Sequence, residues 1–191
     1  MEIYLIRHGK TQGNLEQRYI GSTDQPLCPQ GREELLRRQE QGLYPKGIEA
    51  LASSPLLRCQ ETARLLYPKL EPTLIPQLRE SSFGRYELKS WRELEQDEAY
   101  QQWLASGGSL PFPDGESKEA LTARCLPAFR QLLAQWQEQG IAKAALVVHG
   151  GTIMALLSTL CGGDFYRWQV SNGGLCRLRV EGESYQGEIL D

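Results

Sequence analysis

His8 and His149 are the only two histidines in the 191-residue chain, and each comes at the end of a short apolar run, with Arg7 between the first run and His8. His8 lies between Arg7, whose planar guanidinium suits phosphate, and Gly9, which permits close approach of a ligand to the backbone. His149 is followed by Gly-Gly-Thr at 150–152, a predicted helix start where free N–H groups favour an anion. A lone histidine is more often structural than catalytic, but two imidazoles with anion-binding neighbours predict phosphoryl chemistry.

A second arginine is a candidate for the same site. Arg58 follows Ser54 by four residues, on the first turn of a predicted helix that comes directly after a strand. From that position its side chain either reaches the sheet edge that carries the histidines or is an ordinary solvated helix residue. Position alone leaves both interpretations open.

The elements that must position these residues are strands alternating with helices. Short apolar runs predict strands at 3–6, 48–52, 73–75 and 144–148. Helical spacing of apolar residues predicts helices at 29–42, 55–67, 116–139 and 151–160, and alternation predicts a final hairpin of 174–180 and 184–190. The predicted fold class is α/β: a three-layer α/β/α sandwich with a mostly parallel central sheet and an antiparallel end. Ligands of such sheets bind at the carboxyl ends of the strands, where both histidines fall.

Two local expectations accompany these helices. In the first helix, one face is predicted to consist of Leu35, Leu36, Gln39 and Leu43. Ser54 is predicted to be the N-cap of the second helix, because a serine hydroxyl can accept a hydrogen bond from a free helical N–H group.

A polar and aromatic segment at about 81–115 lies outside the alternation of strands and helices. It contains Trp91, Tyr100 and Trp103 among charged residues, which predicts short helices forming a helical lid on a single domain of residues 1–191. The aromatic rings could stack on a flat base in a substrate, or pack the lid onto the rest of the domain.

Composition argues against several functional classes. With 21 Lys plus Arg and 24 Asp plus Glu, the formal net charge of −3 gives no field that attracts nucleic acid or an anionic membrane. The five cysteines are odd in number and form no Cys-x-x-Cys pair, which predicts reduced thiols and no metal site. No secretory pattern opens the chain, and the 20 uncharged residues at 144–163 divide into a strand and a helix. We expect a cytoplasmic protein without a membrane span, as a monomer or a homodimer.

Five motifs in order resemble the histidine phosphatase superfamily, also called phosphoglycerate mutase-like, over nearly the whole chain. They are R-H-G-x-T-x-x-N at 7–14, G-x-x-D-x-P-L at 21–27, S-x-L-x-R-x-x-x-T-A at 54–63, L-x-E-x-x-F-G at 78–84 and a V-x-H-G-like run at 148–151. Each motif alone is weak, but five with matching order and spacing are specific.

The resemblance implies a mechanism. His8 would be the nucleophile that forms a phosphohistidine, while Arg7, Arg58 and His149 would surround the phosphoryl oxygens. The further phosphate-binding positions that it implies are Thr11, Asn14, Gly21 and Gly150. Because the arginines would supply the charge that Mg²⁺ supplies in kinases, no metal and no other cofactor is expected.

Glu80, in the fourth motif, would protonate the leaving oxygen and then activate water. Glu87 is the competing carboxylate, and the resemblance favours Glu80 because the acid of the family precedes Phe-Gly. Family members commonly have glycine after the second glutamate, where this chain has Leu88.

The expected substrate is a small phosphorylated metabolite, and the expected activity is that of a phosphoric monoester hydrolase. The segment at 113–117 resembles the P-x-G-E-S segment of small-molecule phosphatases, with Glu116 facing the site and Ser117 either contacting substrate or capping a helix. Within that branch the chain resembles α-ribazole-5′-phosphate phosphatases of cobalamin synthesis. The alternatives are a broad-specificity sugar or carboxylate phosphatase, a cofactor-dependent phosphoglycerate mutase, and a non-catalytic module that binds a phosphorylated ligand.

Overall fold

A six-stranded mixed sheet runs through residues 1–190, the part of the chain that this computed structural model describes. Its strands are β1 (Glu2–Arg7), β2 (Ala50–Ser53), β3 (Thr73–Leu74), β4 (Lys143–Val148), β5 (Leu175–Glu181) and β6 (Ser184–Ile189). The helices are α1 (Gln12–Leu15), α2 (Pro29–Glu40), α3 (Leu57–Leu66), α4 (Glu98–Ala105), α5 (Lys118–Glu138) and α6 (Gly150–Cys161). Short 3₁₀ turns cover Pro76–Leu78, Gly84–Tyr86 and Phe165–Trp168.

The strand order β3-β2-β4-β1-β5-β6 brings the two histidine-bearing strands together at the centre of the sheet. β1 and β4 are parallel neighbours, and their last residues, Arg7 and Val148, are partners in the register. β5 and β6 complete the sheet as an antiparallel hairpin beside β1. The predicted α/β class, the mostly parallel sheet and the antiparallel end are therefore confirmed.

Helices cover both faces of this sheet, as the three-layer prediction requires. Along β1, Ile3 and Leu5 pack with the apolar residues of α5 and α6, whereas Tyr4 and Ile6 pack with those of α2 and α3. Both faces of the central strands are thus buried from solvent, which explains their continuous apolar runs. Phe129 of α5 is fully buried in the first of these clusters, where truncation to Ala costs about 3–5 kcal/mol.

Two local predictions are wrong. Of the predicted face of the first helix, Leu35 is buried, but Leu36 is 42% exposed, because α2 contacts the sheet along a narrow stripe, and Leu43, which is 45% exposed, lies beyond the end of α2 at Glu40. The N-cap of α3 is Leu56, without a side-chain hydrogen bond, rather than Ser54. The Ser54 hydroxyl lies instead 2.7 Å from Nε2 of His149.

The 81–115 segment contains the predicted short helices: the Gly84–Tyr86 turn and α4. Tyr100 is buried, and its ring stacks on Trp103 at 5.8 Å between centroids; Trp103 also lies 4.6 Å from Phe112. Trp91 is exposed and donates to Gln17 at 3.2 Å. Tyr100 and Trp103 thus pack this segment, while Trp91 stands apart from the aromatic cluster. Across residues 1–190, no helix combines the length and apolarity needed to cross a bilayer.

Candidate active site

His8 lies directly after β1 and is buried in the form that a nucleophile requires. Its Nδ1 lies 2.7 Å from the carbonyl oxygen of Gly9, and since a carbonyl can only accept, Nδ1 carries the proton. The other ring nitrogen, Nε2, keeps its lone pair and accepts a hydrogen bond from Nε of Arg58 at 3.3 Å. Burial, and then the charges of Arg58 and Arg7, lower the pKa of His8 well below its usual value. The imidazole is therefore neutral at pH 7.

Arg58, on the first turn of α3, is fully buried rather than solvated. Its Nη1 donates to the carbonyl of Thr23 at 2.8 Å and its Nη2 to the carbonyl of Gly21 at 2.7 Å. With Nε on His8, all three guanidinium nitrogens have partners, and these fix the cation against the imidazole. Arg58 is therefore not a solvated helix residue, and the structure places its guanidinium against His8.

Arg7, the last residue of β1, supplies the second cation. Its Nη1 donates to the carbonyl of Val170 at 2.8 Å. Its guanidinium lies against the start of α6, since a Cβ built on Gly150 would be 3.4 Å from Cζ of Arg7. A positive charge and the N-terminus of a twelve-residue helix therefore meet at one place, which favours an anion.

His149, the N-cap residue of α6, is fully buried beside the first histidine. The ring centroids of His8 and His149 are 5.2 Å apart, with an interplanar angle of 64°. Nε2 of His149 lies 2.7 Å from the Ser54 hydroxyl and 3.4 Å from Sγ of Cys59. Burial, followed by the charge of Arg58, lowers the pKa of His149 well below its usual value, so this ring is also neutral.

Glu80 lies against the same helix start. Its Oε2 accepts from the backbone N–H of Gly151 at 3.1 Å, and its Oε1 accepts from the N–H of Ser81 at 2.9 Å. Burial raises the pKa of Glu80, although these hydrogen bonds and the cations Arg58 and Arg7 oppose the increase. A carboxyl with a raised pKa is suited to donate a proton.

Glu87 occupies a different environment. Its carboxylate accepts hydrogen bonds from the loop at 21–23 and from the N–H of Phe83. These bonds outweigh the effect of burial and lower the pKa of Glu87, so the group is ionised at neutral pH. Of the two candidate acids, Glu80 has a raised pKa and Glu87 a lowered one.

The remaining predicted phosphate-binding residues lie around these groups with different partners. Thr11 is buried and caps α1: its hydroxyl accepts from the N–H of Asn14 at 3.3 Å, and Oδ1 of Asn14 accepts from the N–H of Thr11 at 3.0 Å. Asn14 also lines the cavity described below. Gly21 donates its N–H to Glu87 and accepts from Arg58, so its backbone groups serve the arrangement of Arg58.

Arg124 and Glu116 reinforce the segment that carries Glu80. Glu116 accepts from Nε and Nη2 of Arg124 at 2.8 and 2.6 Å, in a bidentate pair. Arg124 also donates to the carbonyls of Gln77, Arg79 and Glu80, at 2.6, 2.9 and 3.3 Å. Ser117 caps α5, since its hydroxyl accepts from the N–H of Ala120 at 3.1 Å.

A cavity of about 310 Å³ opens over this site. Its polar lining consists of Arg7, His8, Asn14, Arg18, Glu80, Ser81, Glu116, Lys118, Gln169 and the glycines Gly150 and Gly151. Its apolar wall includes Tyr19, Ile20, Phe83, Trp103, Leu110, Phe112, Leu121, Met154 and Phe165. Such a cavity offers charged and polar groups to one part of a ligand and an apolar wall to the rest.

Several of these contacts were not predicted from the sequence. The hydroxyl of Ser54 and the thiol of Cys59 on His149, and the Gly151 amide on Glu80, join residues far apart in the chain. Ser54 stands in a predicted motif, which was the available signal for it. Within residues 1–190, no group of three or more His, Cys, Asp or Glu side chains is arranged to hold a metal ion.

Comparison with known proteins places this arrangement in context. The family model described as histidine phosphatase superfamily (branch 1) matches residues 3–190. The adenosylcobalamin/alpha-ribazole phosphatase of Escherichia coli K12 is 31% identical over 166 residues, covering 85% of this chain and 80% of that protein. A probable phosphoglycerate mutase GpmB of Enterobacter sp. strain 638 is 32% identical over 185 residues, covering 93% and 84%. The crystal structure of the alpha-ribazole phosphatase from Shigella flexneri superposes with a TM-score of 0.82 at 26% identity, covering 99% of this chain and 95% of that one.

Proposed function

The chain belongs to the histidine phosphatase superfamily (branch 1), and from that premise we propose a phosphomonoesterase that hydrolyses a small phosphorylated metabolite through a phosphohistidine intermediate. The observation that carries this proposal is the state of His8: neutral, with its proton on Nδ1 and the lone pair of Nε2 beside Arg58. A neutral imidazole whose Nε2 carries a lone pair and no proton is the form that can attack phosphorus.

In the first step, Nε2 of His8 attacks the phosphorus in line, forming a P–N bond as the P–O bond to the alcohol breaks. Arg7, Arg58 and the N–H groups at the start of α6 offset the charge on the phosphoryl oxygens. Glu80, kept protonated by burial and by the arriving phosphate, gives its proton to the leaving oxygen. We assign His149, which is neutral and lies 5.2 Å from His8 between ring centroids, to the same site.

In the second step, the Glu80 carboxylate takes a proton from water as that water attacks the phosphorus. The P–N bond breaks, inorganic phosphate forms, and His8 regains its neutral state with the lone pair on Nε2. The enzyme returns to its starting protonation state without a metal or another cofactor in either step. We propose this course without a metal or cofactor together with the residue roles.

For the substrate, we propose α-ribazole-5′-phosphate or a phosphomonoester of similar shape. The apolar and aromatic wall of the cavity supports a leaving group with a large apolar surface. The names of the Escherichia coli and Shigella flexneri relatives support the same choice. A broad-specificity sugar or carboxylate phosphatase remains the alternative within the hydrolases.

Phosphoglycerate mutase activity is a second candidate, supported by the Enterobacter relative, which is 32% identical. A mutase would retain the phosphohistidine and return the phosphoryl group to a second hydroxyl. A module that only binds a phosphorylated ligand is disfavoured, because the nucleophile, the two cations and the acid are all present.

The test compares the wild-type protein with His8→Ala on p-nitrophenyl phosphate in EDTA. We expect turnover by the wild-type protein only. We also expect a phosphoryl label on the wild-type protein that is acid-labile and base-stable and that is absent in His8→Ala. A wild-type protein inert toward every phosphomonoester would disprove the hydrolase proposal. A panel of phosphorylated metabolites ranked by kcat/KM then identifies the substrate, and isomerisation of phosphoglycerate after priming with 2,3-bisphosphoglycerate would favour the mutase.

A further inference from the structure

The carboxylate of Glu87 is surrounded by hydrogen-bond donors from the 21–23 loop. Its oxygens accept from the N–H groups of Gly21, Ser22 and Thr23 at 3.2, 2.9 and 3.3 Å. The hydroxyls of Ser22 and Thr23 donate to it at 3.2 and 2.7 Å, and the N–H of Phe83 adds a sixth bond at 2.9 Å. Three consecutive N–H groups converging on one anion form a concave anion site, which a side chain of the protein itself fills here.

The same loop presents its carbonyl groups to the opposite charge. The carbonyl oxygens of Gly21 and Thr23 accept hydrogen bonds from the two terminal nitrogens of Arg58, at 2.7 and 2.8 Å. The loop therefore lies between an anion and a cation, with its N–H groups on the carboxylate and its C=O groups on the guanidinium. Hydrogen bonds arranged in series in this way polarise and strengthen one another.

The loop can approach this closely only because residue 21 is glycine. A Cβ on Gly21 would lie 2.0 Å from the backbone oxygen of Ser81 and 2.6 Å from Oε1 of Glu87. The first of these atoms is backbone and cannot swing aside. The backbone of the loop at Gly21 therefore packs directly against the backbone of the 81–87 segment at Ser81.

We propose that Glu87 is a positioning residue: it fixes the 21–23 loop so that the loop carbonyls hold the guanidinium of Arg58 against His8. The role assigned to Arg58 in phosphate binding rests on the proposed function. Glu87 does not touch the substrate in this proposal, and it acts only through the loop. It also links Arg58 to the aromatic segment that walls the cavity, because Phe83 donates to the same carboxylate.

The test is a double-mutant cycle read out by the dissociation constant of inorganic phosphate, measured by calorimetry on the full-length protein. Glu87→Gln replaces one acceptor oxygen by an NH₂ group that faces N–H donors, so we expect phosphate binding to weaken about tenfold. In an Arg58→Ala background, the same substitution should change phosphate affinity less than about twofold. Equal losses in both backgrounds would overturn the proposal, because they would mean that Glu87 acts independently of Arg58.

Two further variants separate positioning from general destabilisation. Thr23→Val keeps the shape of the side chain and removes one hydrogen bond to Glu87, and we expect a smaller loss of phosphate affinity that also vanishes in the Arg58→Ala background. Asp97→Asn is the matched control: Asp97 accepts from the hydroxyl of Tyr86 and the N–H of Tyr100 in the same region, and neither partner lines the cavity, so phosphate affinity should not change. An equal loss in Asp97→Asn would overturn the proposal. Because phosphate binding is measured without turnover, this outcome is independent of whether the protein proves to be a hydrolase or a mutase.

Discussion

The backbone N–H of Gly151 donates to Oε2 of Glu80 at 3.1 Å, so the first turn of α6 fixes the side chain proposed as the proton donor. The contact leaves no space for a larger residue, since a Cβ at 151 would lie 2.4 Å from Oε1 of Glu80. The atom that such a Cβ meets is the end of a flexible side chain, which can move. A substitution here therefore displaces Glu80 and leaves the backbone in place.

We expect Gly151→Ala to lower kcat/KM roughly 10- to 100-fold on alkyl phosphomonoesters, whose poor leaving groups need a proton. This ratio covers the steps up to departure of the leaving group and leaves out the later attack of water, which Glu80 also assists. The loss should be much smaller on p-nitrophenyl phosphate, because nitrophenolate leaves without protonation. Stability should be unchanged or raised by up to about 1 kcal/mol, since Ala is favoured over Gly within a helix. Steady-state kinetics on both substrates and a thermal melt check this. Equal losses on the two substrates would contradict the role given to Glu80.

The rate should fall on the alkaline side as Glu80 loses its proton. Burial raises the pKa of Glu80, so the protonated form extends to higher pH than for an ordinary glutamate. The neutral form of His8 extends to lower pH than usual, because its pKa is lowered. We therefore expect an acidic optimum of kcat/KM, with an alkaline limb that disappears in Glu80→Gln. A limb that persists unchanged in Glu80→Gln would assign it to another group.

Stability should decrease as the pH falls below 6.5, because His8 and His149 are buried as neutral rings. Both have a folded pKa below the unfolded value of about 6.5, so the unfolded state binds protons first and the stabilisation above 6.5 is lost on acidification. Each ring contributes a slope of at most about 1.4 kcal/mol per pH unit. Urea unfolding between pH 6.5 and 5 measures the slope.

The control for this slope is simple because the chain has only two histidines. In a His8→Asn, His149→Gln double variant the free energy of unfolding should no longer decrease on acidification across the same range, and the raised pKa of Glu80 can only make it increase. Carboxylates with lowered pKa values, Glu87 and Glu116 among them, lose their contribution only below about pH 4.5 and do not confuse the result. A slope that survives in the double variant would show that the histidines are not its source.

The core of the site could be predicted from the sequence because it follows from strand order. Apolar runs identify β1 and β4, and parallel strands place their carboxyl ends together, so His8 and His149 meet wherever the two strands are neighbours. The orientation of Arg58 is harder to predict, because the position of a residue in a helix does not determine where a long side chain points. The motif that contains Arg58 made it a candidate, and the structure shows its guanidinium buried between the 21–23 loop and His8.

The supporting contacts could not be predicted because they depend on tertiary packing of irregular segments. Glu87 was a candidate acid because it is a glutamate near the predicted site. Its hydrogen-bond partners in the 21–23 loop lie more than sixty residues away in the sequence, and no sequence periodicity predicts that contact. Serine is a residue type that favours N-cap positions, but its hydroxyl can form a hydrogen bond either with a free N–H group at a helix start or with an imidazole. Only the position of His149, whose Nε2 lies 2.7 Å from this hydroxyl, decides between the two.

Leu88 stands where family members commonly have glycine, and its backbone has the left-handed conformation that glycine favours, with φ of 65°. Its side chain is 44% exposed, so packing offsets little of the strain. We expect Leu88→Gly to be about 0.5–1 kcal/mol more stable than Leu88→Ala, because only glycine relieves the steric cost. Leu36 is the matched control: it is 42% exposed in the regular helix α2, where the glycine variant should be about 1 kcal/mol less stable than the alanine variant. Urea unfolding of the four variants measures both differences, and the same sign at both positions would contradict this account of residue 88.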